Sequence, residues 1–171
     1  MDANALRALQ APLKERYKQD PNAALVTLKA QGAIDDARVA CKVETGRALA
    51  VAGLHPATGG TGAEICSGDM LLEALVACAG VTLKAVATAL EIPLRAGSVR
   101  AEGDLDFRGT LGVNKESPVG FTAIRLTFEL DADATAEQLE TLMKLTKRYC
   151  VVYQSLVKSP AITETCTLRK K

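Results

Sequence analysis

The chain contains no tryptophan, and aromatic residues make up only 4% of it. Its core must therefore be assembled from alanine, valine, leucine and isoleucine, and ring platforms for stacking nucleic-acid bases are not expected. Charge of one sign is lacking too, since 21 Lys and Arg face 20 Asp and Glu for a formal net charge of +1. Without a long-range field, neither nucleic acid nor an acidic membrane surface is an expected partner. A single histidine, His55, rules out a Cys-His or Ser-His-Asp arrangement that needs a second orienting partner on it. Beside Pro56 it reads as structural. No basic segment followed by an apolar run opens the sequence, which leads us to expect a cytoplasmic protein. The longest apolar stretch, Met70–Leu90, is interrupted by Glu73 and Lys84, so it reads as a buried helix rather than a membrane span. The cysteines form no C-x-x-C pair and Gly59-Gly60-Thr61-Gly62 lacks the Lys-Ser or Lys-Thr of a phosphate loop. Neither a metal site nor a bound cofactor is expected.

What is present fits one domain over residues 1–171, long enough to bury a core without staples. Residues 3–18 are amphipathic and helix-prone, with Pro12 expected to kink or split them, and residues 1–22 read as an N-terminal helical arm. Three strand-like runs follow, ALVTLKA, ARVACKV and RALAVAGL, the last two joined by a hairpin turn at Glu44-Thr45-Gly46. The glycines and proline of 55–62 exclude regular structure there. Ser67-Gly68-Asp69 offers cap chemistry for a helix from Asp69 to about Glu91, ending before Pro93 and apolar on nearly every side, as suits the middle of a protein.

Val99 to Phe107 and Ile124 to Leu130 alternate apolar and polar residues, the pattern of strands with one wet face. Asp133 or Thr135 caps a second helix from Ala136 to about Val157. Ser159-Pro160 stops it, and Ala161–Arg169 reads as a last strand. Strands in hairpin pairs between long helices make the class α+β with a mainly antiparallel sheet.

Five cysteines are an odd count for a chain expected in a reducing compartment. Cys41 and Cys166 fall on strands as core fillers, and Cys66 precedes the first long helix as the thiol most open to solvent. Cys78 lies mid-helix between Ala77 and Ala79, and Cys150 follows Lys147 and Arg148 in the second helix. Each fits a packed core thiol equally well. If the two helices pack side by side, the pair suits thiol peroxidase chemistry, in which one thiolate attacks a peroxide and the second condenses with the sulfenic acid formed. Such a thiolate needs a lowered pKa and a pocket that admits substrate but little water.

From about Arg38 to Cys166 the chain resembles the OsmC-like and organic hydroperoxide resistance proteins. The carriers are Pro56-Ala57-Thr58-Gly59-Gly60, then Asp69-Met70-Leu71-Leu72-Glu73-Ala74-Leu75-Val76-Ala77-Cys78, then Arg148-Tyr149-Cys150-Val151-Val152. Their order along the chain is more diagnostic than any one piece. The resemblance implies bent, mainly antiparallel sheets around two long central helices in an intertwined homodimer, with sites at the subunit interface. It also implies that Cys78 is peroxidatic and Cys150 resolving. The family commonly has proline after the second cysteine, where this chain has Val151, and a glutamate near the start of the central helix, where it has Asp69. An ideal helix puts Asp69 and Cys78 on opposite faces. The arginine that the family sets against the thiolate maps best to Arg38, with Arg47 second.

The function expected from the resemblance is reduction of organic hydroperoxides through Cys78 and Cys150, with a small dithiol or lipoyl-type reductant as partner. The alternative is a non-catalytic dimer that binds a small apolar ligand or serves as a stress-response structural protein.

Overall fold

The computed structural model describes residues 2–19, 31–34, 40–44, 49–112 and 114–168. Helix α1 (Ala3–Gln19) runs unbroken through Pro12, so the expected kink does not divide it. The run ALVTLKA lies outside the described residues. Strands β1 (Gln31–Ile34), β2 (Ala40–Glu44) and β3 (Leu49–Gly53) form an antiparallel ladder, with Glu44 opposite Leu49 across the expected hairpin. A two-residue strand β4 (Ile65–Cys66) adds to β3 in parallel. The intervening loop does hold regular structure, a 3₁₀ turn over Pro56–Thr58. His55 Nδ1 accepts from the Ala57 N–H at 3.0 Å, and the ring stacks on Phe107 at 4.9 Å. His55 is therefore the cap of the glycine-containing loop. Gly60 is required there, since a Cβ would fall 1.7 Å from the Leu54 carbonyl oxygen.

Helix α2 (Ser67–Ala89) starts two residues earlier than expected, and Cys66, not the Ser67-Gly68-Asp69 group, holds the N-cap position without a side-chain cap bond. It closes with paired bonds from Glu91 N–H to Thr88 O and from Ile92 N–H to Ala87 O, leaving Glu91 at φ 56°. This is a Schellman-type ending in which glutamate takes the left-handed position and Pro93 prevents continuation. Strand β5 (Leu94–Asp104) pairs antiparallel with β6 (Ala123–Ala132). Their alternating half-buried residues, Val99, Ala101, Ile124, Leu126 and Phe128, line the face that meets α2. Phe107 and Arg108 leave the strand for a short helical turn, α3 (Phe107–Thr110), because Asp106 captures the Arg108 N–H at 3.1 Å.

Helix α4 (Ala136–Tyr149) begins in a capping box: Thr135 Oγ1 accepts from Gln138 N–H, and Gln138 Oε1 accepts from Thr135 N–H. The expected single helix to Val157 is interrupted at Cys150, whose φ −73° and ψ 108° are extended, and α5 (Val151–Val157) resumes from it. The last expected strand does not form. Residues 160–168 are irregular and exposed, because an extended segment becomes a strand only against a neighbouring edge, and among the described strands none pairs with it.

Helix α2 lies against β5, α4 and α5. Two buried clusters follow it: Leu83, Val86, Ala87 and Ile92 pack with Leu142, while Leu75 and Ala79 pack with Cys150. The order reverses between the helices, so α2 and α4 run antiparallel. The helix is not covered all round by the described residues, as its composition suggested it would be: Leu71 is exposed and Val81 is 73% exposed. Despite Glu73 and Lys84, Ser67–Ala89 does reach the length and mean hydropathy (1.8) of a membrane-crossing helix. In this fold those residues meet a sheet and two helices instead.

Candidate active site

Cys78 projects from the fourth turn of α2, and Cys150 from the break between α4 and α5. Antiparallel packing of the helices brings them into one cluster with Leu75, Ala79, Val152 and Tyr153. Cys150 is 1% exposed, whereas Cys78 is only half-buried. Cys78 is thus the more open residue of the pair.

Their electrostatics diverge. Burial alone pushes the Cys78 thiol up, but the Val152 N–H, the Cys150 thiol, the Val151 N–H and the Thr82 hydroxyl outweigh it and hold Cys78 below the ordinary thiol range. These groups act on the sulfur as oriented dipoles, and two belong to the unsatisfied first turn of α5. At Cys150 burial dominates, and the neighbouring Cys78 sulfur adds to it, so this thiol lies above its ordinary range despite the Tyr153 and Val152 N–H groups. The pair thus favours a thiolate on Cys78 and a proton on Cys150. Two sulfurs so divided are equipped for attack by the first and condensation by the second.

The break in the second helix creates this arrangement. No glycine or proline marks it, although the β-branched Val151 and Val152 weaken the helix slightly. The exposed carbonyl of Lys147 is taken by the Gln154 side chain at 2.8 Å, while Cys150 N–H bonds Thr146 O and Gln154 N–H bonds Cys150 O. Val151 occupies the first helical position of α5, where proline is well tolerated, and Cys150 already has the extended backbone that precedes proline. Valine keeps an N–H that proline would remove. Val151→Pro is therefore expected to fold and to move the midpoint of Cys78 alkylation to higher pH; an unchanged midpoint would remove the Val151 N–H from the account.

The other sequence candidates lie elsewhere. Asp69 sits exposed in the first turn of α2, on an open groove of about 500 Å³ shared with Leu72, Val76, Ala77, Val99 and Arg100. It is not among the groups that act on Cys78. Arg38 and Arg47 lie outside the described residues. Among the described arginines, Arg95, Arg108 and Arg125 are bound to Asp131, Asp106 and Asp104, Arg100 to Glu102, and Arg148 stacks over Tyr149. None of these reaches the Cys78 sulfur.

Cys66 is half-buried rather than the most open thiol, and Cys166, expected in the core, is exposed on the irregular tail. No group of three metal-ligating side chains occurs among the described residues. The sequence reading missed Thr82 and the α5 amides. Thr82 stands one helical turn after Cys78, a spacing that signals a shared face.

A family model described as OsmC-like protein matches residues 60–165. Among solved structures, the chain is similar to an OsmC-like protein from Mycoplasma pneumoniae (TM-score 0.64, 14% identity, covering 78% of this chain and 89% of that one). It is also similar to an organic hydroperoxide resistance protein OsmC from Legionella pneumophila (0.54, 17%, 78% and 91%). A third relative is the organic hydroperoxide resistance protein OhrB of Bacillus subtilis (0.51, 18%, 78% and 93%). No curated protein matches significantly. At these identities the structural likeness speaks to the fold.

Proposed function

Because the chain belongs to the OsmC-like family, we propose that it is a thiol peroxidase that reduces organic hydroperoxides through Cys78 and Cys150. The observation that carries this reading is the divided pair: a half-buried thiol held low beside a buried thiol held high. A merely packed core thiol would be pushed up by burial, as Cys150 is, so the lowered Cys78 favours redox chemistry over the non-catalytic alternative. Two of the similar structures are named for organic hydroperoxide resistance, which supports the substrate class.

In the proposed cycle the Cys78 thiolate attacks the terminal oxygen of the hydroperoxide. The O–O bond breaks, the alkoxide leaves and takes a proton as alcohol, and Cys78 becomes a sulfenic acid. Cys150 then attacks the Cys78 sulfur. An S–S bond forms, the S–O bond breaks, and the departing hydroxide combines with the Cys150 proton as water. An external dithiol, a small one or a lipoyl-type one, returns both thiols. The protein acts as a cytoplasmic homodimer, whose second subunit covers the exposed apolar side of α2 around Leu71 and Val81. Arg38 is assigned to polarise the thiolate and Asp69 to help hold it, as the family resemblance implies.

The apolar side chains clustered with Cys78, among them Leu75, Val99, Ala101, Val152 and Tyr153, favour an alkyl substituent on the peroxide. With a dithiol reductant in excess, cumene hydroperoxide is expected to be consumed at least about tenfold faster than hydrogen peroxide, the scale on which apolar contacts discriminate. Equal rates, or none, would contradict the reading.

A further inference from the structure

The hydroxyl of Thr146 is the only buried side-chain N or O among the described residues without a hydrogen-bond partner. The residue is 1% exposed. An unpaired buried hydroxyl is costly, and a helical threonine has an easy remedy in the carbonyl four residues back. Thr88 in α2 takes it, donating to Lys84 O at 2.8 Å. Thr146 in α4 does not.

Its place explains what the hydroxyl is held for. Thr146 stands one turn before Cys150 on the same face, and its carbonyl oxygen receives the Cys150 N–H at 3.0 Å. Leu142 packs at the level of Leu83 and Ala87, and Cys150 at the level of Leu75 and Ala79. Thr146, between Leu142 and Cys150 along α4, falls between these two levels, and so does Thr82 along α2. Each thiol thus has a threonine one turn away on its own helix, and both threonines lie on the same side of the thiol pair along the helix axes.

We propose that Thr146 is a positioning residue for the second half of the cycle, its hydroxyl held in reserve for the oxygen that Cys78 acquires. In the reduced protein that oxygen does not yet exist. Once Cys78 carries S–O–H, Thr146 donates to the sulfenyl oxygen and stabilises the negative charge that builds on it as the S–O bond breaks. As the S–S bond forms and the S–O bond breaks, the leaving hydroxide accepts the Cys150 proton, and the resulting water departs from the Thr146 hydroxyl. This inference rests on the peroxidase reading and adds a residue to it.

Thr146→Val keeps the side-chain shape and removes the hydroxyl. The variant is expected to melt at or above the wild-type temperature, because an unpaired polar group has gone from the interior. Sulfenic acid should form on Cys78 at the wild-type rate after one equivalent of cumene hydroperoxide. Disulfide formation should slow about tenfold, the rate equivalent of one good hydrogen bond, so that a dimedone adduct accumulates on Cys78. Thr146→Ser should restore the wild-type rate. A Thr146→Val protein that forms the disulfide as fast as wild type overturns the proposal, as does a serine variant as slow as the valine one. Wild type whose thiols do not react overturns the peroxidase reading as well.

Discussion

Cys78→Ser should lose hydroperoxide consumption by about a thousandfold or more, leaving only the slow oxidation of remaining thiols. The serine hydroxyl is nearly isosteric, so the cluster with Leu75, Ala79 and Cys150 stays packed. Yet it does not ionise near neutral pH, and the Val151 and Val152 N–H groups and Thr82 hydroxyl then have no anion to stabilise. What disappears is the nucleophile, not the pocket. The assay is peroxide loss with a dithiol in excess, compared at matched secondary structure; activity within tenfold of wild type would remove Cys78 from the mechanism.

Cys150→Ser is expected to separate the two halves of the cycle. Cys78 remains half-buried and within reach of substrate, so one oxidising equivalent still enters. The sulfenic acid then finds no thiol partner within the cluster, because Cys66 and Cys166 lie elsewhere. Steady-state turnover should fall about a hundredfold or more, while a single fast turnover leaves a mass increase of one oxygen on Cys78. The serine hydroxyl can still donate to the Cys78 sulfur in place of the Cys150 thiol, so the first step should keep its rate at neutral pH. Undiminished turnover would mean that an external thiol, not Cys150, resolves the intermediate.

Several elements were readable from local chemistry alone. Period-two alternation marked β5 and β6, and Asp133 or Thr135 marked the α4 start, of which Thr135 makes the cap. His55 was legible as structural because a lone histidine beside proline in a glycine-containing loop has a cap to make. The failures share a different cause, in that each depends on what a segment packs against. Residues 161–168 carry a strand-like pattern, but no described edge pairs with them. The composition of α2 suggested cover on every side, whereas the described residues leave Leu71 and Val81 exposed.

The break at Cys150 was not legible, since no breaker residue marks it and its compensation comes from Gln154 reaching back to Lys147. That break is what turns the α5 amides toward Cys78. The candidate thiols could be named from the sequence, but not what distinguishes them. Burial without compensation raises Cys150, and burial outweighed by surrounding donors lowers Cys78.

The central claim is that Cys78 and Cys150 form one redox pair. Its most direct test is intact mass and peptide mapping of fully reduced protein after one equivalent of cumene hydroperoxide. The account predicts a loss of two hydrogens within seconds and a single cross-linked peptide pair joining Cys78 to Cys150, with Cys66 and Cys166 still reduced. Unchanged thiols, or oxidation scattered over Cys66 and Cys166 with Cys78 spared, would contradict it.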